Sequence, residues 1–84
     1  MEKLKEKIEA TVNLYKSGNF TKCETNTKKL IETNPKITFL YNLLGLVLSA
    51  QNREDEALDV YNEGIKIEPN YAMIYNNIAL ILVF

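Results

Sequence analysis

The stretch Tyr41-Asn42-Leu43-Leu44-Gly45 returns 34 residues later as Tyr75-Asn76-Asn77-Ile78-Ala79. Pro35 and Pro69 are separated by the same interval. So are Gly18 and Asn52, Cys23 and Ala57, Ile31 and Ile65, and Leu48 and Leu82. A fixed period of this size marks a stack of like supersecondary units, none of which buries its apolar face alone. The third unit reaches only its first helix by Phe84.

From this stretch the reading extends outward. Tyr41, Leu44, Gly45 and Leu48 fall at i, i+3, i+4 and i+7, one stripe of a helix. Ala57, Leu58, Tyr61 and Ile65 form a stripe on the next helix. Glycine is costly inside a helix, so Gly45 predicts the close approach of another helix backbone. Ala57 is expected to be a second small contact, with Tyr41 and Tyr61 filling the wider spaces. The pattern predicts five helices, over 3–16, 20–33, 38–51, 54–67 and 72–84. Gly18 and Asn52 suit the left-handed conformation that ends a helix. Pro35 and Pro69 stop the helices before them. Thr38 and Asn70 are expected as N-caps. Connections of a few residues make neighbouring helices antiparallel. The fold class is all-α.

At 84 residues the chain is expected to be one domain, 1–84. Its net charge of −1 gives no reason to expect nucleic acid as a partner. Residues 1–36 hold eight Lys and five Glu, for +3; residues 37–84 hold one Lys, one Arg and six acids, for −4. Solvated helix faces explain this asymmetry, and so does head-to-tail association of a dipolar module. Cys23 is a lone cysteine, expected in the core like its counterpart Ala57. There is no His, which removes Ser-His and Cys-His nucleophile pairs and imidazole-dependent zinc sites. Glu54, Asp55 and Glu56 cluster at a helix start, where they complement the dipole. No catalytic, cofactor or metal site is expected, and an enzyme reading has only scattered carboxylates behind it. Residues 1–7 are charged throughout, unlike a signal peptide, so the expected location is cytoplasmic. The charge-free runs 37–52 and 70–84 are too short to span a bilayer and read as buried helices, with no membrane partner expected.

The run Tyr41-Asn42-Leu43-Leu44-Gly45, followed by Leu48, Ala57, Tyr61, Gly64 and Pro69, resembles a tetratricopeptide repeat (TPR). Only Gly64 departs, where Ala is usual. The resemblance covers 38–71 well. Unit 4–37 matches at Gly18, Phe20, Cys23, Leu30 and Pro35 but is degenerate. There Lys7 and Thr27 replace aromatics, and Thr11 replaces a small residue. Residues 72–84 match the first helix of a truncated third repeat. The signature is similar to bacterial TPR arrays and to the TPR region of protein-glycosylating transferases. The resemblance implies a right-handed α-solenoid of antiparallel helix hairpins, two units plus one helix. It also implies a concave face lined by the first helix of each unit, and a binding rather than catalytic role.

On that face the resemblance places Phe39, Asn42, Leu43, Leu46 and Ser49. Their counterparts in the last helix are Met73, Asn76, Asn77, Leu80 and Val83; in the first helix they are Lys5, Ile8, Glu9, Val12 and Tyr15. An Asn amide offers donors and an acceptor to a peptide backbone. In the transferase relatives a ladder of Asn does this; only Asn77 holds a ladder position here, Leu43 replacing the previous rung. The Lys and Arg of relatives that clamp an acidic C-terminal tail are absent: Ile8, Val12, Leu43, Met73 and Asn77 stand there. Phe39, Leu43 and Leu46 either touch adjacent repeats or receive an apolar helix or peptide.

The other candidate surface is helix 72–84. Ile74, Ile78, Ile81, Leu82 and Phe84 cover more than one stripe. Leaving three such side chains exposed forgoes about 5–9 kcal/mol. Repeat arrays ordinarily end in a polar cap. Self-association through this helix, a dimer by end-to-end packing or helix exchange, is therefore expected. The alternatives are a fragment of a longer protein, or the N-terminal substrate-holding region of a glycosyl- or sulfo-transferase. The leading expectation is a scaffold for a protein or peptide partner.

Overall fold

A computed structural model describes residues 2–83. The helices are α1 (Glu2–Lys16), α2 (Phe20–Thr33), α3 (Thr38–Ala50), α4 (Glu54–Ile67) and α5 (Ala72–Val83), with no strand among the described residues. Each helix packs on the next, and α5 also reaches back to α3. This is the all-α hairpin solenoid that the 34-residue period predicts.

The period is visible in backbone hydrogen bonds. Gly18 and Asn52 both take positive φ, 82° and 62°. After α1, Asn19 N–H donates to Leu14 O and Gly18 N–H to Tyr15 O. After α3, Arg53 N–H donates to Leu48 O and Asn52 N–H to Ser49 O. These are paired Schellman closures, satisfying carbonyls that a helix end leaves orphaned. The turns between repeats also copy one another. The Tyr41 hydroxyl donates to Pro35 O at 2.7 Å, and the Tyr75 hydroxyl to Pro69 O at 2.7 Å. Each tyrosine thus ties the start of a first helix to the proline turn before it.

The core is centred on α3, which carries no charge and is buried on nearly every side. α2, α4 and α5 surround it. A helix so enclosed must be apolar all round, which is why its stripe is broad rather than narrow. Leu40, Val47, Leu48, Ala57, Tyr61 and Ile74 are among the fully buried side chains. In the first hairpin, Thr11, Cys23 and Thr27 are buried instead. Their polar atoms are satisfied locally: Thr11 Oγ1 donates to Lys7 O at 2.8 Å and Thr27 Oγ1 to Cys23 O at 2.7 Å. Burial pushes the Cys23 thiol up, away from the reactive thiolate.

Three local expectations are corrected. Thr38 is not an N-cap: Ile37 holds that position with no side-chain cap, and Thr38 is a buried first-turn residue. Asn70 precedes the start of α5 at Ala72 by two residues. Gly45 does not admit a helix backbone. A Cβ built there would overlap the ring of Tyr61, so the glycine makes room for an aromatic face. Gly64 acts similarly, since a Cβ there would lie 2.6 Å from Ile74 Cδ1 and 3.1 Å from Tyr41 Cβ.

Candidate functional site

A cleft of about 420 Å³ opens where the C-terminal halves of α3 and α5 meet the start of α4. Leu46 and Ser49 come from α3, Glu54 and Tyr61 from α4, and Asn77, Leu80 and Ile81 from α5. The size falls within the range of ligand pockets, about 300–1,000 Å³. The Schellman turn at Asn52 brings Glu54 to the same cleft as Ser49, and the run of α5 antiparallel to α4 brings Leu80 back to the same end.

Asn77 Nδ2 donates to Asn42 Oδ1 at 2.7 Å. Asn42 is 1% exposed, whereas Asn77 is half-buried at the cleft wall. The bond uses one of the two amide hydrogens of Asn77. The other hydrogen and the carbonyl oxygen remain for a ligand. Burial, followed by the influence of Tyr15, pushes the Tyr61 phenol up to about 12, so it stays neutral at the cleft floor.

The structure separates the sequence candidates. Leu46, Ser49, Asn77 and Leu80 meet in the cleft. Met73 and Asn76 are exposed on α5, outside the cleft lining. Phe39 is partly buried against the core. Leu43 and Asn42 are corrected from groove to interior: α5 covers that side of α3, and both are buried. Ile74 is likewise corrected from assembly surface to core, being 0% exposed. Ile78 and Ile81 pack partly against that core. Leu82 is 70% exposed, and Phe84 lies outside the described residues. Sequence reasoning left Glu54 and Tyr61 off the cleft. One was read as a dipole partner and the other as a space-filling residue, and no local pattern shows that a hairpin turn brings them to α5.

A charged network braces the same end from behind. Arg53 Nη1 donates to Glu24 Oε1 at 2.7 Å and Arg53 Nε to Glu56 Oε2 at 2.7 Å. Gln51 Nε2 donates to Glu24 Oε1 at 3.0 Å, and Lys28 Nζ lies 2.9 Å from Glu24 Oε2. Burial alone would raise the Glu24 carboxyl, but the hydrogen bonds from Lys28, Gln51 and Arg53 outweigh it and hold the group down at about 2. The network therefore ties α2 to the α3–α4 turn, and its Glu24 carboxylate stays ionised through the neutral range.

Among the described residues, no group of three or more Cys, Asp or Glu side chains is placed to hold a metal ion. No helix among them is long and apolar enough to cross a membrane. The cleft offers one carboxylate, two hydroxyls, one amide and apolar walls, an arrangement suited to binding.

Residues 45–83 match the family model described as TPR repeat. The chain is similar to the peroxisomal targeting signal receptor of Kluyveromyces lactis, 27% identical over 66 residues. It is also similar to the receptor of the same name from Saccharomyces cerevisiae, 26% identical over 66 residues. Each alignment covers 79% of this chain but only 12% and 11% of the respective receptor, so the chain corresponds to a small part of either. The five-helix architecture is an all-α solenoid of helix hairpins, consistent with the TPR match over 45–83.

Proposed function

We propose that this chain is a non-catalytic scaffold whose α3–α5 cleft holds a short extended peptide from a protein partner. The observation that carries this is the Asn42–Asn77 bond, which fixes an amide at the wall of the cleft, beside the apolar side chains of Leu46, Leu80 and Ile81. An amide held in place loses little rotamer freedom on binding, and its free hydrogen and oxygen pair with a peptide backbone. The similar proteins are named as receptors of a targeting signal, which supports a protein-borne signal as the ligand class. It also favours this reading over a substrate-holding region of a transferase.

Screening of the labelled chain by NMR against a random peptide pool tests the proposal. Binders are expected to shift the side-chain amide of Asn77, and Asn77→Ala and Leu80→Glu are expected to weaken them. Binders whose affinity survives both substitutions overturn it.

A second reading, self-association through α5, draws support from the exposure of Met73, Leu80 and Leu82. Its occupant is a second copy, and the +3 and −4 halves of the chain favour head-to-tail contact. Light scattering after size exclusion is expected to show a dimer that Leu82→Lys dissociates. A monomer at micromolar concentration excludes this reading while leaving the cleft proposal standing.

A further inference from the structure

A second groove, of about 400 Å³, lies in the first hairpin and shares no residue with the α3–α5 cleft. Lys7, Ala10 and Thr11 of α1 and Asn26, Lys29 and Leu30 of α2 line it. The chain's own repeat shows what is missing from it. Moved on by 34 residues, Lys7 becomes Tyr41, Thr11 becomes Gly45 and Leu30 becomes Gly64. In the second hairpin Tyr41 fills the corresponding space. It is 8% exposed, its Cβ presses against the place of a Cβ on Gly64, and its hydroxyl is tied to Pro35 O. In the first hairpin Leu30 takes part of that room, and the rest stays open, because Lys7 is exposed with its ammonium in water. The interior beneath is intact, with Thr11 and Cys23 buried and their polar atoms bonded.

The rim sets the charge of what enters. Two lysines line the groove and no carboxylate does. Neither Lys7 nor Lys29 takes part in an ion pair among the described residues. The surrounding residues 1–36 are net positive, at +3. An aromatic ring fits the slot that Tyr41 fills in the other repeat, lysines attract neighbouring carboxylates, and an ammonium over a ring edge or face adds a cation–π contribution.

We propose that the α1–α2 groove is a separate binding site that takes one Phe or Tyr side chain from an acidic segment of a partner protein. This inference stands apart from the α3–α5 cleft and does not depend on it.

The test is an NMR titration of the 84-residue chain with a capped peptide Asp-Glu-Phe-Glu-Asp and its Phe→Ala counterpart. The Phe peptide is expected to give saturable shifts at Ala10, Asn26 and Leu30, and the Ala peptide to bind about tenfold more weakly or worse. Lys7→Tyr fills the slot from within, so it is expected to abolish binding and raise the thermal midpoint. Lys7→Glu/Lys29→Glu, with the slot left open, is expected to weaken binding by about tenfold. Equal affinity for the two peptides, unchanged binding in Lys7→Tyr, or no saturable shift at millimolar peptide overturns the proposal. A midpoint unmoved or lowered by Lys7→Tyr overturns the equivalence with Tyr41 on which it rests. Shifts centred on Leu46 and Leu80 instead reject this site and speak for the cleft.

Discussion

Asn77 Nδ2 donates to Asn42 Oδ1 at 2.7 Å, joining the first helices of two successive repeats. The residues are 35 positions apart, one more than the repeat period. The bond therefore crosses from one rung of the array to the adjacent one. Removing the donor strands a buried oxygen. Asn77→Ala is expected to destabilise the fold by about 1–3 kcal/mol, whereas Asn42→Leu/Asn77→Leu, with both partners apolar, costs less. Urea denaturation of Asn42→Leu, Asn77→Leu and the double substitution checks this through the coupling energy.

Gly45 faces the ring of Tyr61, which is 1% exposed and would have to shift to admit a Cβ. Gly45→Ala improves helix propensity by about 1 kcal/mol but overpacks this contact. A net loss of about 1–3 kcal/mol is expected. A thermal midpoint at or above that of the parent chain would show that the ring moves freely.

Tyr41 and Tyr75 make the same hydrogen bond in different surroundings. Tyr41 is 8% exposed and Tyr75 is 45% exposed. Tyr41→Phe leaves Pro35 O short of a donor in a partly dry site and is expected to cost about 1 kcal/mol. At Tyr75 water replaces the hydroxyl, so Tyr75→Phe is expected to stay within about 0.5 kcal/mol. Chemical denaturation distinguishes them, and equal losses would contradict this account.

Glu24 gives the fold an acid limb. Its carboxyl is held at about 2 against an ordinary 4.5. A depressed carboxylate contributes stability that is complete above the unfolded value and is lost as pH falls through the folded one. Stability is expected to decline from about pH 4.5 to about pH 2, and Glu24→Gln is expected to flatten that slope. Unfolding midpoints between pH 2 and pH 7 measure it. A slope unchanged by Glu24→Gln would assign the acid limb to other carboxylates.

Much of the architecture was legible in the residues. Gly18 and Asn52 marked two helix ends because few residue types tolerate positive φ, and both adopt it. The stripe of Tyr41, Leu44, Gly45 and Leu48 located α3 because helical periodicity is local. The site was less legible. Leu43 and Leu46 look alike in sequence, yet one is buried and the other lines the cleft. Ile74 and Leu82 look alike too, yet one is core and the other exposed. Thr38 looked like a cap, but its helix starts one residue earlier than a cap there would allow.

The sequence by itself determined the repeat period, the helices, the turns and the antiparallel pairing, since each follows from local backbone preference and from spacing along the chain. Tertiary structure alone decided which faces of α3 and α5 stay open. It also decided that Gly45 receives a ring rather than a backbone, and that Asn77 is held by Asn42. Those outcomes depend on how far one hairpin is rotated onto the next. That rotation is set by the sum of many side-chain contacts across the interface, and no single stretch of the chain encodes it.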